Sequence, residues 1–428
     1  METATIPAGF RDLPTEILEV ILQGFRPNPL QPFDFQQFRH ALQQLSQLRL
    51  ITKACYNILT PLLYSSVVLP MYHEKAFLNS IQAVRYHPEL IHAVYLQGEW
   101  HRDEHFQRVT INLLRPFLSA CLNLRELHID GGETIFWNMS RGRIQRLFEV
   151  IPASLTTISL NYVTYGQSRT TGCHMISSML IGMGRPFAER LKSLEIGNGF
   201  DGYNQSDDLA LPRYFPSLER LVLRDLHIQK AARILSRVTC DTKHPERPQC
   251  GRRIRYQRNI PFHDPPLHDL TLTVLLRSPQ DVNESILDLF KINNIASRIT
   301  SLRLGIGYPS FIVDFEVIPQ TIIQLCPNLR IFFYRAPCPL TFLETPLPSS
   351  LRELGIRVVR SRETGQTRFV HDLKPIRIFV EDSRCRMGVT KLYVKSTTYL
   401  DLPPLEGMEE LREACRVHGV QFFDKFAI

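Results

Sequence analysis

Cys121-Leu122-Asn123-Leu124-Arg125-Glu126-Leu127-His128-Ile129 is the stretch from which the rest of the chain can be read. Leu127 and Ile129 stand two apart, the spacing that puts side chains on one face of a strand. Leu124, three residues before Leu127, sits at the turn leading in. The same spacing recurs at Ile91-Val94-Leu96, Leu155-Ile158-Leu160, Leu191-Leu194-Ile196, Leu218-Leu221-Leu223 and Leu267-Leu270-Leu272. It continues through Ile299-Leu302-Leu304, Leu329-Phe332-Tyr334, Leu351-Leu354-Ile356 and Val389-Leu392-Val394, making ten copies with the first. Ten copies exclude coincidence.

Several copies share a lead-in. Cys121-Leu122-Asn123-Leu124, Phe215-Pro216-Ser217-Leu218, Cys326-Pro327-Asn328-Leu329 and Leu347-Pro348-Ser349-Ser350-Leu351 each place Pro, Asn or Ser ahead of the strand, as a tight helix-to-strand turn requires. Upstream, Ile111, Leu114, Phe117 and Leu118 follow helical spacing, as do Ile286, Leu287 and Phe290. The unit is helix, turn, strand, and the fold class it predicts is α/β. Copies lie from 22 residues apart (Leu329 to Leu351) to 49 apart (Leu218 to Leu267), so the array is irregular.

The L-x-x-L-x-L spacing resembles leucine-rich repeats, in degenerate form and without a dependable Asn or Cys after the strand. That resemblance implies an RNI-like solenoid over residues 71–428: a curved parallel sheet with outer helices, each unit burying its face by stacking on its neighbours. The strand faces of such an array bind a protein target. The candidate target-binding residues are Glu126, His128, Glu195, Arg220, Arg224, Arg303 and Arg330. The widest gap, 240–266, is basic and Pro-rich and reads as a projecting loop. At 405–428, Leu405, Met408, Leu411, Ala414 and Cys415 form a helical face ended by Gly419, and Val420-Gln421-Phe422 suits an edge strand, together a terminal cap.

Ahead of the repeats, residues 1–70 read as a small helical domain. Pro14 suits a first helical position, and Leu13, Ile17, Val20 and Ile21 recur on one face. Phe35, Phe38, Leu42 and Leu45 give a second stripe. Leu48, Ile51, Cys55, Ile58, Leu59 and Leu62 give a third, with a break expected at Pro61. Leu13-Pro14, Glu16-Ile17, Ile21-Leu22, Leu48-Arg49-Leu50-Ile51, Lys53, Tyr56 and Pro61-Leu62-Leu63-Tyr64 resemble an F-box, the adaptor-binding module of SCF-type cullin-RING ubiquitin ligases. An F-box followed by degenerate leucine-rich repeats is a fungal-type arrangement. The resemblance implies that Leu13, Pro14, Ile17, Ile21, Leu22, Leu48 and Leu50 meet the Skp adaptor and, through it, the ligase. The other reading of the same periodicity is an N-terminal cap on the array, in a scaffold that has no part in ubiquitin transfer.

Composition bounds the rest. A chain of 428 residues with 44% hydrophobic residues is globular. No apolar run is long enough to span a membrane, the N-terminus lacks a signal-peptide pattern, and nine cysteines without framework spacing read as thiols in a reducing compartment. Cytoplasm or nucleus is expected. The net charge of +8 equals the excess in two segments: Cys240 to Ile260 has six basic residues against two acidic, and Arg357 to Arg386 eight against four. An acidic partner would be met there. Nucleic acid is not expected, because only Tyr256 and Phe262 are interleaved with the first segment as stacking platforms.

No catalytic, cofactor or metal site is expected. His101-Arg102-Asp103-Glu104-His105 matches H-x-x-E-H, which binds zinc on a helix, but it follows a strand and Gly98, where a loop belongs. Cys240, His244, Cys250 and His263 lack a close ligand pair. Gly182-Met183-Gly184 and Gly305-Ile306-Gly307 lack a third glycine and read as repeat turns. The expectation is a non-enzymatic substrate receptor. The scaffold would leave the adaptor unbound, and a zinc peptidase built on His101 and His105 would carry stoichiometric metal.

Overall fold

A computed structural model describes residues 47, 53–71, 73–98, 104–130, 141–161, 183–184, 186–197, 215–227, 231, 235, 266–275, 290, 292–307, 317–335, 340–359, 373–397 and 407–424. Each apolar pair of the repeat lies in a strand. The strands are β1 (Ser66–Pro70), β2 (Ala93–Gln97), β3 (Glu126–Asp130), β4 (Thr157–Asn161), β5 (Ser193–Ile196), β6 (Arg220–His227), β7 (Asp269–Leu275), β8 (Ser301–Gly307), β9 (Ile331–Arg335), β10 (Glu353–Val359), β11 (Lys391–Thr397) and β12 (Gln421–Phe423). They form one parallel sheet in sequence order. The register follows the motif. Val94 pairs with Leu127, Leu127 with Ile158, and so on through Leu194, Leu221, Leu270, Leu302, Phe332 and Leu354 to Leu392.

Helices supply the other half of the core. Among the described residues they are α1 (Lys53–Ser65), α2 (Glu74–Val84), α3 (Glu104–Ala120), α4 (Arg141–Phe148), α5 (Val317–Leu325), α6 (Lys374–Glu381), the short α7 (Ser383–Arg386) and α8 (Met408–Val417). Leu114, Phe117 and Leu118 of the expected helical stripe are buried with the strand leucines in one core. Between β9 and β10, where the repeat is shortest, a 3-10 turn at Leu340–Glu344 replaces the helix and buries Phe342 and Leu343. Twenty-two residues leave too little chain for a full helix, and the tighter turn fills the layer instead. Of the stripe Ile286, Leu287 and Phe290, only Phe290 is described, and it is buried.

The turns ahead of the strands are tied to one another by a ladder of side chains. In five of the ten repeats the side chain of the residue just before the first apolar position donates to a backbone carbonyl of the repeat before it. Asn123 Nδ2 reaches Glu89 O at 2.7 Å, Ser217 Oγ reaches Glu189 O at 2.6 Å, and Asn328 Nδ2 reaches Ser297 O at 2.7 Å. Ser154 Oγ lies 2.7 Å from both Leu122 O and Leu124 O, and Ser350 Oγ 2.9 Å from both Pro327 O and Leu329 O. The Asn and Ser of the lead-in therefore join repeats as well as shaping turns. The backbone repeats the device: Arg125 O accepts from Thr156 N and Thr157 N, and Arg352 O from Thr390 N and Lys391 N. Cys121 and Cys326, at the start of two of these turns, are buried, and burial pushes each thiol up to about 12. They act as small apolar fillers.

Two expectations near the N-terminus change. Residues 66–70, placed by the sequence in the helical domain, form β1 and pair with β2, Val67 on Val94 and Leu69 on Leu96. Tyr64, three residues before Val67, packs against the core, so Tyr64-Val67-Leu69 is a further copy of the motif with an aromatic lead residue. Nor does Pro61 break the helix, since α1 runs from Lys53 to Ser65. Pro61 costs one backbone bond near the helix end, where Leu59 is buried and Thr60 Oγ1 donates to the Tyr56 carbonyl oxygen at 2.6 Å. At the other end, Leu411, Ala414 and Cys415 of α8 are buried, Gly419 turns at φ +68°, and β12 forms the edge strand on β11. Leu405 lies outside the described residues. Among the described residues, no helix is long and apolar enough to cross a membrane.

Candidate recognition surface

Side chains alternate along a strand, so the residue between the two apolar positions of each repeat, and the residue before that pair, lie on the face opposite the leucines. Parallel register aligns them into rows. One row runs through Tyr95, His128, Ser159, Glu195, Val222 and Thr271, and on through Arg303, Phe333, Gly355, Tyr393 and Phe423. Three zones follow from what stands in it.

In the first zone the Tyr95 and His128 rings stack at 4.3 Å, and His128 Nε2 lies 3.2 Å from Glu126 Oε2. The second is a set of ion pairs around a small centre. Arg224 Nε is 2.9 Å from Glu195 Oε1, and Asp269 faces Arg220 at 3.5 Å and Arg303 at 3.2 Å while accepting from Ser301 Oγ at 3.0 Å. Ser159, Val222 and Thr271 are buried between these larger neighbours. In the third zone Phe333 meets Tyr393 at 5.2 Å, Tyr393 stacks on Phe423 at 4.6 Å, and the Arg303 guanidinium lies 5.5 Å from the Phe333 ring centre. Glu353 accepts from Lys391 Nζ at 2.8 Å and from Tyr393 OH at 3.2 Å. The hydrogen bond to that carboxylate, and then its charge, holds the Lys391 ammonium above its ordinary range. Partial burial, then the same charge, pushes the Tyr393 phenol up.

Gly355 makes the aromatic contact possible. A Cβ there would lie 2.0 Å from Phe333 Cδ1, so only glycine lets the ring cross β10 to reach Tyr393. The ion pairs are partly solvated and worth about 0–1 kcal/mol each. Their effect is to fix a pattern of charge and shape more than to hold the fold.

Of the seven candidate residues, Glu126 meets His128, Glu195 meets Arg224, and Arg220 and Arg303 meet through Asp269. Arg330 is not among them. It precedes β9, is exposed, and lies in the turn ladder, where its carbonyl accepts from Arg352 N and Glu353 N. One residue ahead of the strand, it does not share the pleat of Arg303. Sequence reasoning missed Tyr95, Asp269, Phe333, Glu353 and Tyr393. Their signal was alignment: Asp269 pairs with Arg220, and Phe333 with Arg303, once the motifs are set in register. Phe333 and Tyr393 are aromatic at positions where a count of apolar residues assigns them to the core.

The candidate adaptor-binding residues Leu13, Pro14, Ile17, Ile21, Leu22, Leu48 and Leu50 lie outside the described residues, as do Cys240, His244, Cys250, His263 and the loop to residue 265. Glu104 and His105 belong to the first turn of α3, not to a loop, while His101 lies outside the described residues. Among the described residues, no group of three or more His, Cys, Asp or Glu could hold a metal ion. Gly305 and Gly307 are strand residues of β8 where a turn was expected, and Gly184 takes φ +72°. No protein-family model matches the chain, and no curated protein matches it.

Proposed function

We propose that the chain is a non-enzymatic substrate-recognition subunit of an SCF-type cullin-RING ubiquitin ligase. Its F-box-like helices would dock on the Skp adaptor, and its leucine-rich-repeat-like solenoid would hold a protein target for ubiquitin transfer by the rest of the complex. The observation that carries this reading is the join between the two parts. Helix α1 holds the second half of the F-box-like motif, from Lys53 to Tyr64, and enters β1 without a linker. Leu59 is buried, Tyr64 packs on the core and meets His87 at 5.1 Å between ring centres, and Ser65 O accepts from His92 N at 2.8 Å. Tyr56, on the same helix, is 47% exposed.

A rigid join matters because a receptor acts by proximity. Holding target and ligase at a fixed separation raises their effective concentration, and a flexible tether would dilute that gain. The twelve described strands, about 4.8 Å apart, present a face roughly 50 Å long, ample for an interface of ordinary size. Cys121, Cys326, Cys385 and Cys415 are free thiols, which suits the cytoplasm or nucleus. The packing of Leu59 equally favours a second reading, an N-terminal cap on a scaffold.

Co-purification of the full chain with the Skp adaptor separates the two. A one-to-one complex is expected, weakened at least about tenfold by the combined changes Leu13→Ala, Pro14→Ala and Ile17→Ala, which remove apolar contact area. If the intact chain stays folded and does not bind, the N-terminal helices are a cap and the receptor reading fails.

A further inference from the structure

We propose that the ridge of turns ahead of β8 to β11 is a docking site for an acidic polypeptide segment, anchored by Arg330 and Arg352. The four turns, at residues 297–300, 326–330, 347–352 and 386–390, carry Arg298, Arg330, Arg352 and Arg386, one each, and hold no Asp or Glu. The turns ahead of β5 and β6 differ: Lys192 of one pairs at 2.9 Å with Glu219 of the other. The carboxylates nearest in the chain to Arg352 and Arg386 are engaged elsewhere, Glu353 by Lys391 and Tyr393 on the sheet face and Asp382 by Arg384.

Of the four, Arg330 and Arg352 are exposed, and they stand side by side, since Arg330 O accepts from Arg352 N at 2.8 Å. The Arg330 side chain has no hydrogen bond or ion pair among the described residues. Arg352 is fixed in place: its Nη1 donates to Ser349 O at 2.6 Å, to Gly388 O at 3.1 Å and to Leu351 O at 3.3 Å. A Cβ on Gly388 would lie 2.0 Å from that nitrogen, so only glycine admits the guanidinium there. Carbonyl oxygens hold the group without neutralising it, and its Nε and Nη2 make no hydrogen bond among the described residues. Two like charges at the ends of strands about 4.8 Å apart repel, and a carboxylate laid between them would be held by both through charge-assisted bonds. Met387, next to Gly388 and 56% exposed, offers apolar contact beside them.

A polypeptide fits better than a nucleic acid or a membrane. No aromatic residue stands in these four turns to stack a base. The two exposed arginines are too few for a bilayer, where each cation contributes only about 1 kcal/mol. An extended chain advances about 3.4 Å per residue, so carboxylates one or two residues apart would reach both arginines. The proposal rests on reading the repeats as the part that holds a target and not on adaptor docking.

The test is a titration of the full chain into labelled octaglutamate, with octaglutamine and a single-stranded octanucleotide as comparisons and no adaptor present. Its failure is therefore distinct from failure of the co-purification. Octaglutamate is expected to bind, more weakly as salt is raised, and octaglutamine to leave the chain unbound. Arg330→Glu, at a side chain that makes no bond in the fold, should weaken binding about fivefold or more, while Arg115→Glu at an exposed position of α3 should change it by less than about twofold. On the unaltered protein, octaglutamate should protect Arg330 and Arg352 from phenylglyoxal, a reagent that adds to guanidinium groups, as read by peptide mass spectrometry. That readout stands if the variant does not fold. No binding, equal binding by the folded Arg330→Glu variant, or protection confined to other arginines would overturn the proposal. So would an octanucleotide that binds more tightly and is weakened by the same change.

Discussion

Gly355 shows how much can turn on the absence of one side chain. With no Cβ at that position the Phe333 ring lies across β10 and reaches Tyr393, which stacks in turn on Phe423. Gly355→Ala should displace the ring and cost about 1–3 kcal/mol, read as a lower midpoint in urea unfolding with little change in slope. The same small scale explains Arg330. It resembles Arg303 in type and in nearness to a strand, yet it lies one residue before β9 begins and joins the turn ladder. Residue type is visible in the sequence; pleat phase is set by where pairing starts.

At the scale of the element, the turn ladder adds to the cohesion that strand pairing and the shared core give neighbouring repeats. Ser350 Oγ has a single proton to share between Pro327 O and Leu329 O, both at 2.9 Å, and sits just ahead of a buried leucine. Ser350→Ala should cost about 1 kcal/mol, measured by chemical denaturation, whereas Ser349→Ala, at the exposed neighbouring position, should be near neutral. Helix α1 shows tertiary contact overriding local preference. A proline inside a short helix should end it, yet α1 continues because buried Leu59 and the packed Tyr64 hold both sides of Pro61 in place.

For the whole molecule, each strand pairs only with its chain neighbours, so stability is close to a sum of unit and interface terms and the ends need covering. At the C-terminal end α8 packs on α6 and β12 pairs with β11. Removing residues 405–428 would uncover α6 and leave β11 as an open edge. The truncated chain should melt lower by at least about 5 °C and self-associate in size-exclusion chromatography. The sequence by itself determined the repeating unit, the ten strands with their inward leucines and the C-terminal cap, because spacings of two and three residues are local and recur. Only the tertiary structure decided that β1 opens the sheet, that the Asn and Ser of the turns bridge neighbouring repeats, and which polar residues meet across the face. Those contacts join positions about 20 to 50 residues apart, and the irregular lengths between copies hide from a linear reading which of them stand side by side.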